Sequence, residues 1–170
     1  GMVGKSLRVM VVGIPNTGKS SFINKMAGRV RAKVADKPGV TTSNQWFNIG
    51  NGIELLDTPG VLWPKFDDPV VGDKIAFIGS IKDAVIDIET MAVRLIDTLR
   101  DGYPEMLAER YKISDFEDLQ SWEILEMIGR KRGMLISGGE VNTERASVML
   151  LDEYRGGKLG RISMEFPDNF

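Results

Sequence analysis

This sequence predicts an α/β unit of the P-loop nucleotide-hydrolase class followed by an all-α C-terminal domain, and three observations predict it. A short apolar run, Leu7, Val9, Met10, Val11 and Val12, leads into Gly13-Ile14-Pro15-Asn16-Thr17-Gly18-Lys19-Ser20. A second apolar segment, Ile53, Leu55 and Leu56, ends in Asp57-Thr58-Pro59-Gly60. Beyond residue 82 the hydrophobic spacing takes a helical period and holds it to Tyr154.

The first run reads as a buried strand, and the glycine-rich octapeptide after it as a phosphate-binding loop. Glycine at 13 makes the turn out of the strand, and glycine at 18 lets backbone N–H groups close around phosphate oxygens. Phe22, Ile23, Met26 and Ala27 have the spacing of a helix that starts at the loop, so its positive N-terminal end faces the anion. Pro15, Asn16, Thr17, Gly18, Lys19, Ser20 and Ser21 are the nucleotide-binding candidates here. Lys19 is placed to reach the β- and γ-phosphates and Ser20 to reach Mg²⁺.

The second strand carries Asp57 at its end, where a carboxylate suits the surroundings of Mg²⁺. Gly60, lacking a side chain, permits close approach of its N–H to a γ-phosphate. Alone, Asp-x-x-Gly is an ordinary turn; behind a complete phosphate loop it becomes a companion to it. Between the two motifs, Pro38-Gly39-Val40-Thr41-Thr42 has no apolar periodicity and reads as a loop bringing a threonine to Mg²⁺ and the γ-phosphate. Thr41 is the first choice and Thr42 the second. The predicted catalytic set is Lys19, Thr41 and Gly60, and the predicted Mg²⁺ set is Ser20, Thr41 and Asp57.

In the second half, Ile88, Met91, Ala92, Leu95, Ile96 and Leu99 form one apolar helix face, closed by Gly102 and Pro104. A short helix follows over 104–111. Ser114-Asp115-Phe116-Glu117 reads as a capping box opening a helix with Leu119, Trp122, Leu125 and Ile128 inward. Asn142 caps a last helix holding Ala146, Met149, Leu150 and Tyr154, stopped by Gly156-Gly157. The loop from Gly129 to Val141 holds Arg130, Lys131 and Arg132. These are RNA-contact candidates, although three cations at a helix C-terminus also answer to the helix dipole alone. The expected division is 1–82 for the nucleotide portion, 83–165 for the helical domain and 166–170 for a tail.

Composition narrows the classes. At 170 residues and 42% hydrophobic content the chain can bury a core. It has no cysteine and no histidine, which excludes a disulfide framework, a thiolate zinc site and a histidine base within it. No run reaches membrane-span length and no secretory leader is read, so a cytoplasmic setting without membrane partners is expected. The net charge of −2 is unevenly spread. Asp36 is the only acid among the first forty residues, where Arg29, Arg31, Lys33 and Lys37 flank the threonine loop as a solvated rim or an RNA-facing one.

The loop motif, Pro38-Gly39-Val40-Thr41-Thr42-Ser43-Asn44-Gln45-Trp46 and Leu55-Leu56-Asp57-Thr58-Pro59-Gly60-Val61-Leu62-Trp63-Pro64-Lys65-Phe66 together resemble the circularly permuted GTPases of the ribosome biogenesis GTPase A (YlqF) family. The resemblance continues through Gly79-Ser80-Ile81-Lys82-Asp83, Tyr103-Pro104-Glu105, Arg130-Lys131-Arg132-Gly133 and Gly138-Gly139, nearly to Phe166. It implies a circularly permuted G domain, GTP and GDP as ligands, and a slow GTPase switch in maturation of the large ribosomal subunit. It also implies contact of the helical domain with rRNA and with the subunit precursor. In that family the base-reading motif Asn-Lys-x-Asp precedes the phosphate loop, and this sequence contains it nowhere. The resemblance therefore implies a partial G domain from the C-terminal part of a longer protein, with residues 7–12 left as an exposed edge strand that can pair in a dimer.

Two details of chemistry follow from the resemblance. Val61 stands where many GTPases carry a water-orienting glutamine, so hydrolysis by this chain alone is expected to be weak. The Pro-Asn-x-Gly-Lys-Ser loop resembles those of potassium-stimulated GTPases, which gives Asn16 a K⁺ role beside its plain role as a turn residue. GTP is expected to order Thr41 and Gly60, and with them segments 30–46 and 58–74. Two rival readings stay open: a hydrolase of another base specificity, and a non-enzymatic RNA- or ribosome-binding fragment.

Overall fold

The computed structural model describes residues 5–28 and 39–165. Arg29, Arg31, Lys33, Asp36, Lys37 and Pro38, and the tail 166–170, lie outside the described residues. The chain forms two compact units, one of residues up to Asp68 with Ile78–Lys82, the other of Pro69–Phe77 with the residues from Asp83 onward.

The first unit has strand β1 (Leu7–Val11), helix α1 (Lys19–Ala27), β2 (Gln45–Gly50) and β3 (Ile53–Asp57). The sheet order is β1-β3-β2, with β1 parallel to β3 and β2 antiparallel to it. Asn51 and Gly52 join β2 to β3 with φ of 51° and 69°, the double positive-φ turn that an Asn-Gly pair favours. Ile23 of α1 and Leu55 of β3 are buried, at 0% and 4% exposure. The opposite face is open: Arg8 ion-pairs with Glu54 at 3.0 Å and lies over the Trp46 ring at 5.1 Å. Among the described residues β1 pairs with β3 alone and stands at the sheet edge, with Leu7, Met10 and Val12 well exposed.

The second unit contains α2 (Pro69–Phe77), a 3₁₀ turn over Asp83–Val85, α3 (Ile88–Gly102), α4 (Pro104–Tyr111), α5 (Ser121–Lys131) and α6 (Thr143–Arg155). Its core is built from Phe77, Leu95, Ile96, Leu99, Leu107, Ile124, Ile128, Leu150 and Leu151. Asp87 caps α3 by accepting from Thr90 N at 3.1 Å, Pro104 opens α4, and Asn142 caps α6 by accepting from Arg145 N at 2.8 Å.

Four features depart from the sequence expectations, the first being that β1, read from its apolar run as a buried strand, is exposed from Leu7 to Met10. The capping box consists of Gln120 and Glu123, not Ser114 and Glu117. Asp115 takes a φ of +57° and Phe116 turns into the core, so 114–119 forms a turn and helix α5 starts later. The buried stripe of α5 then runs through Ser121, Ile124, Leu125 and Ile128, leaving Trp122 on its border and 53% exposed. Lastly, α2 falls within 1–82 yet buries Ile75, Ala76 and Phe77 in the helical unit. Arg155 fastens it, donating to Ala76 O and Phe77 O at 3.0 Å each while both Nη atoms bind Asp83 at 2.8 Å.

Candidate nucleotide-binding site

Gly18 has a φ of +82° and serves as the N-cap of α1 without a side-chain bond. No acidic residue occupies the first turn, so the N–H groups and the positive end of the helix dipole remain open to an anion. Within the loop, Thr17 Oγ1 donates to Ile14 O at 2.8 Å. Lys19 Nζ donates to Gly13 O at 3.0 Å and to Ile14 O at 2.7 Å, spanning the loop from inside. Burial lowers the proton affinity of this ammonium, and the Asp57 charge partly restores it. Ser21 is exposed in the first turn of α1.

Strand β3 delivers Asp57 to the same place. Its side chain is buried at 2% exposure; Oδ2 accepts from Ser20 Oγ at 2.7 Å and from Thr41 Oγ1 at 3.5 Å, and the two hydroxyls are 3.1 Å apart. Oδ1 has no hydrogen-bond partner among the described residues. An orphaned, buried carboxylate oxygen beside two hydroxyl oxygens is costly for a protein and well suited to a hard cation. Thr41, rather than Thr42, is the threonine whose hydroxyl joins this cluster.

Thr58 Oγ1 donates to Val11 O at 2.7 Å and locks the ends of β1 and β3 together. Two residues on, Gly60 lies hard against the loop: a Cβ there would stand 2.4 Å from Pro15 N and 2.5 Å from Pro15 Cα. Beside it, Val12, Ile14, Pro59, Val61 and Trp63 line a mainly apolar hollow of about 530 Å³. Val61 is 74% exposed and offers no hydrogen bond to a water.

The 78–80 segment also reaches the loop. Asn16, at φ +59°, directs Nδ2 at Ile78 O and Gly79 O, 3.4 Å from each, and Ser80 Oγ donates to Pro15 O at 2.5 Å. The sequence marks Gly79 and Ser80 only as part of a family-like stretch, without assigning them work at the loop.

The three RNA-contact candidates part company in the helical unit. Arg132, though exposed, is tied to its own unit, its guanidinium 5.3 Å from the Tyr111 ring and 3.4 Å from Glu153 Oε2. Arg130 donates to Gly139 O at 3.3 Å, and Lys131 is exposed. Both line a shallow depression shared with Glu123 and Glu126. Among the described residues no helix is long and apolar enough to cross a membrane.

A strand, glycine-rich loop and helix facing a Ser-Thr-Asp oxygen cluster define a P-loop nucleotide-binding domain. Residues 8–130 match the family described as 50S ribosome-binding GTPase, and the chain belongs to it. The ribosome biogenesis GTPase A of Bacillus cereus is 44% identical over all of this chain. That of Thermotoga maritima is 34% identical over 95% of it. The chain spans 57% of the length of each of these relatives. Among solved structures, GDP-bound TM YlqF matches with a TM-score of 0.64 at 32% identity, covering 96% of this chain and 62% of that one. The GNP-bound YlqF from T. maritima matches with a TM-score of 0.60 at 33% identity, covering 96% and 60%.

Proposed function

We propose that this chain binds GTP and GDP, hydrolyses GTP slowly, and acts through the difference as a switch in assembly of the large ribosomal subunit in the cytoplasm. The observation that carries the reading is the convergence of Ser20, Thr41 and Asp57, from three separate segments, beside Lys19 and a Gly60 that touches the loop. The names of the relatives and the GDP- and GNP-bound neighbours support it.

Lys19 would exchange its loop carbonyls for the β- and γ-phosphate oxygens, and the Gly60 N–H would meet the γ-phosphate. Ser20, Thr41 and Asp57 fit Mg²⁺, which when bound neutralises charge on those oxygens. Asn16 keeps Oδ1 for K⁺, since its Nδ2 faces two carbonyls. Because Thr41 and Gly60 sit in segments without regular structure, their grip on a γ-phosphate would distinguish the GTP from the GDP state. With Val61 next to Gly60, orientation of the attacking water falls to a group outside the reach of this side chain, which makes hydrolysis slow.

In the helical unit, Arg130 and Lys131 supply the RNA contact with the ribosomal precursor, while Arg132 holds the loop that presents them. If the chain is a piece of a longer protein, the edge of β1, which among the described residues pairs with β3 alone, supports a dimer by strand pairing.

Calorimetric titration with GDP and with ADP in Mg²⁺ tests the nucleotide reading. GDP is expected to bind more tightly than ADP, and Lys19→Ala is expected to weaken GDP binding by about tenfold or more. Equal binding of the two would favour another base specificity. Binding of neither would leave the RNA-binding reading alone.

A further inference from the structure

The carbonyl groups at the crest of a phosphate loop must point away from the anion, and each then needs a donor on its far side. In this chain Lys19 Nζ serves Gly13 O and Ile14 O, and Thr17 Oγ1 serves Ile14 O as well. Pro15 O is served by Ser80, 65 positions along the chain and 1% exposed. The two kinds of donor differ in one respect. Lys19 is the loop's own cation and is wanted by the phosphates, whereas the Ser80 hydroxyl is neutral, buried and without a competing role.

Pro15 is gripped on its other side too. The close approach of Gly60 to its N and Cα leaves no room for even a methyl group. Next to it, Asn16 meets Ile78 O and Gly79 O; carbonyls only accept, so the amide nitrogen faces them and Oδ1 is turned elsewhere. A single short segment therefore touches both central residues of the loop.

We infer that Ser80 is a positioning residue for the phosphate loop, and that residues 78–80, half-buried at Ile78 and buried at Gly79 and Ser80, form a strap that holds the Pro15 carbonyl away from the anion and sets the Asn16 amide. This rests on the nucleotide reading given above. Ser80 does not touch the nucleotide; it acts through Pro15, and its neighbours act through Asn16. Losing the hydroxyl leaves a half-buried carbonyl without its donor, which favours a turn of the loop out of its anion-binding form.

The test uses the 170-residue chain with GDP and Mg²⁺. Ser80→Ala is expected to weaken GDP binding about tenfold. Adding Asn16→Ala is expected to cost less than the sum of the two single losses, because both act through one strap. Hydrogen exchange on the unaltered chain gives an independent readout that needs no variant. There, GDP is expected to slow exchange in 78–80 together with 13–18. Undiminished affinity in Ser80→Ala, additive losses in the double variant, or exchange at 78–80 indifferent to GDP would each overturn the inference. Failure of the unaltered chain to bind GDP would instead overturn the nucleotide reading itself.

Discussion

At Gly60 one methyl group decides whether two motifs can meet. A Cβ would stand 2.4 Å from Pro15 N and 2.8 Å from Ile14 C, and both are backbone atoms that cannot swing aside as a flexible side chain would. Gly60→Ala is therefore expected to push the Asp57–Gly60 segment off the loop. Affinity for a non-hydrolysable GTP analogue should fall by about tenfold or more, with a smaller loss for GDP, whose contacts stop short of the γ-phosphate. Calorimetry with both ligands checks this, and equal losses would count against a γ-phosphate role for Gly60. The positions at 13–20 and 57–60 were legible in the sequence because anion and cation chemistry fixes residue type at short spacing. The ranking of Thr41 before Thr42 had no firm ground in the sequence, since neighbouring threonines have the same chemistry; the structure brings Thr41 Oγ1 to 3.1 Å from Ser20 Oγ and 3.5 Å from Asp57 Oδ2. Ser80 was illegible for another reason: its partner is a remote backbone carbonyl, and a carbonyl leaves no mark on side-chain pattern.

Among the elements, α4, α5 and α6 are tied by one carboxylate. Glu153 of α6 is 7% exposed and receives Arg110 of α4 at both oxygens, 2.9 and 2.5 Å away, with Arg132 at the end of α5 at 3.4 Å. The Arg110 bonds hold its carboxyl below the usual carboxylate value of 4.5 against the opposing effect of burial. A depressed value means that the unfolded chain takes up this proton first as pH falls. The stabilisation is thus complete above the ordinary carboxylate range and disappears as pH drops through the lowered folded value. Glu153→Gln is expected to cost about 1–3 kcal/mol near neutral pH and to flatten the acid limb of the stability profile. Urea unfolding of both proteins across acid and neutral pH would show it, and parallel profiles would remove Glu153 from that role. Helices α3, α4 and α6 were legible because apolar period, Pro104 and Asn142 agreed with one another. The start of α5 was not, because Ser114 and Glu117 fit a box that Phe116, drawn into the core, prevents from forming. Nor was α2 legible, since only three of its nine residues are buried and all three lie at its C-terminal end.

For the molecule as a whole, the unpaired side of β1 carries the largest consequence. Among the described residues its outer N–H and C=O groups face no strand, and Leu7 and Met10 are 61% and 59% exposed. Proteins protect such edges with charge, and here Arg8 is drawn across the sheet to Glu54 and Trp46 instead of guarding the edge. Pairing with the β1 of a second copy would satisfy both edges at once and, being two-fold, would close without growing into a filament. The chain is therefore expected to sediment as a concentration-dependent monomer–dimer mixture. Replacing Leu7 and Met10 together by lysine should shift it to monomer, because like charges brought face to face across a two-fold oppose pairing while the strand's bonds to β3 remain. A chain that stays monomeric at high concentration would sink the proposal, as would a double-lysine variant that dimerises as before. Unchanged GDP affinity in the monomeric variant would place the edge outside the nucleotide site, since neither side chain takes part in the loop, the oxygen cluster or the 78–80 contacts.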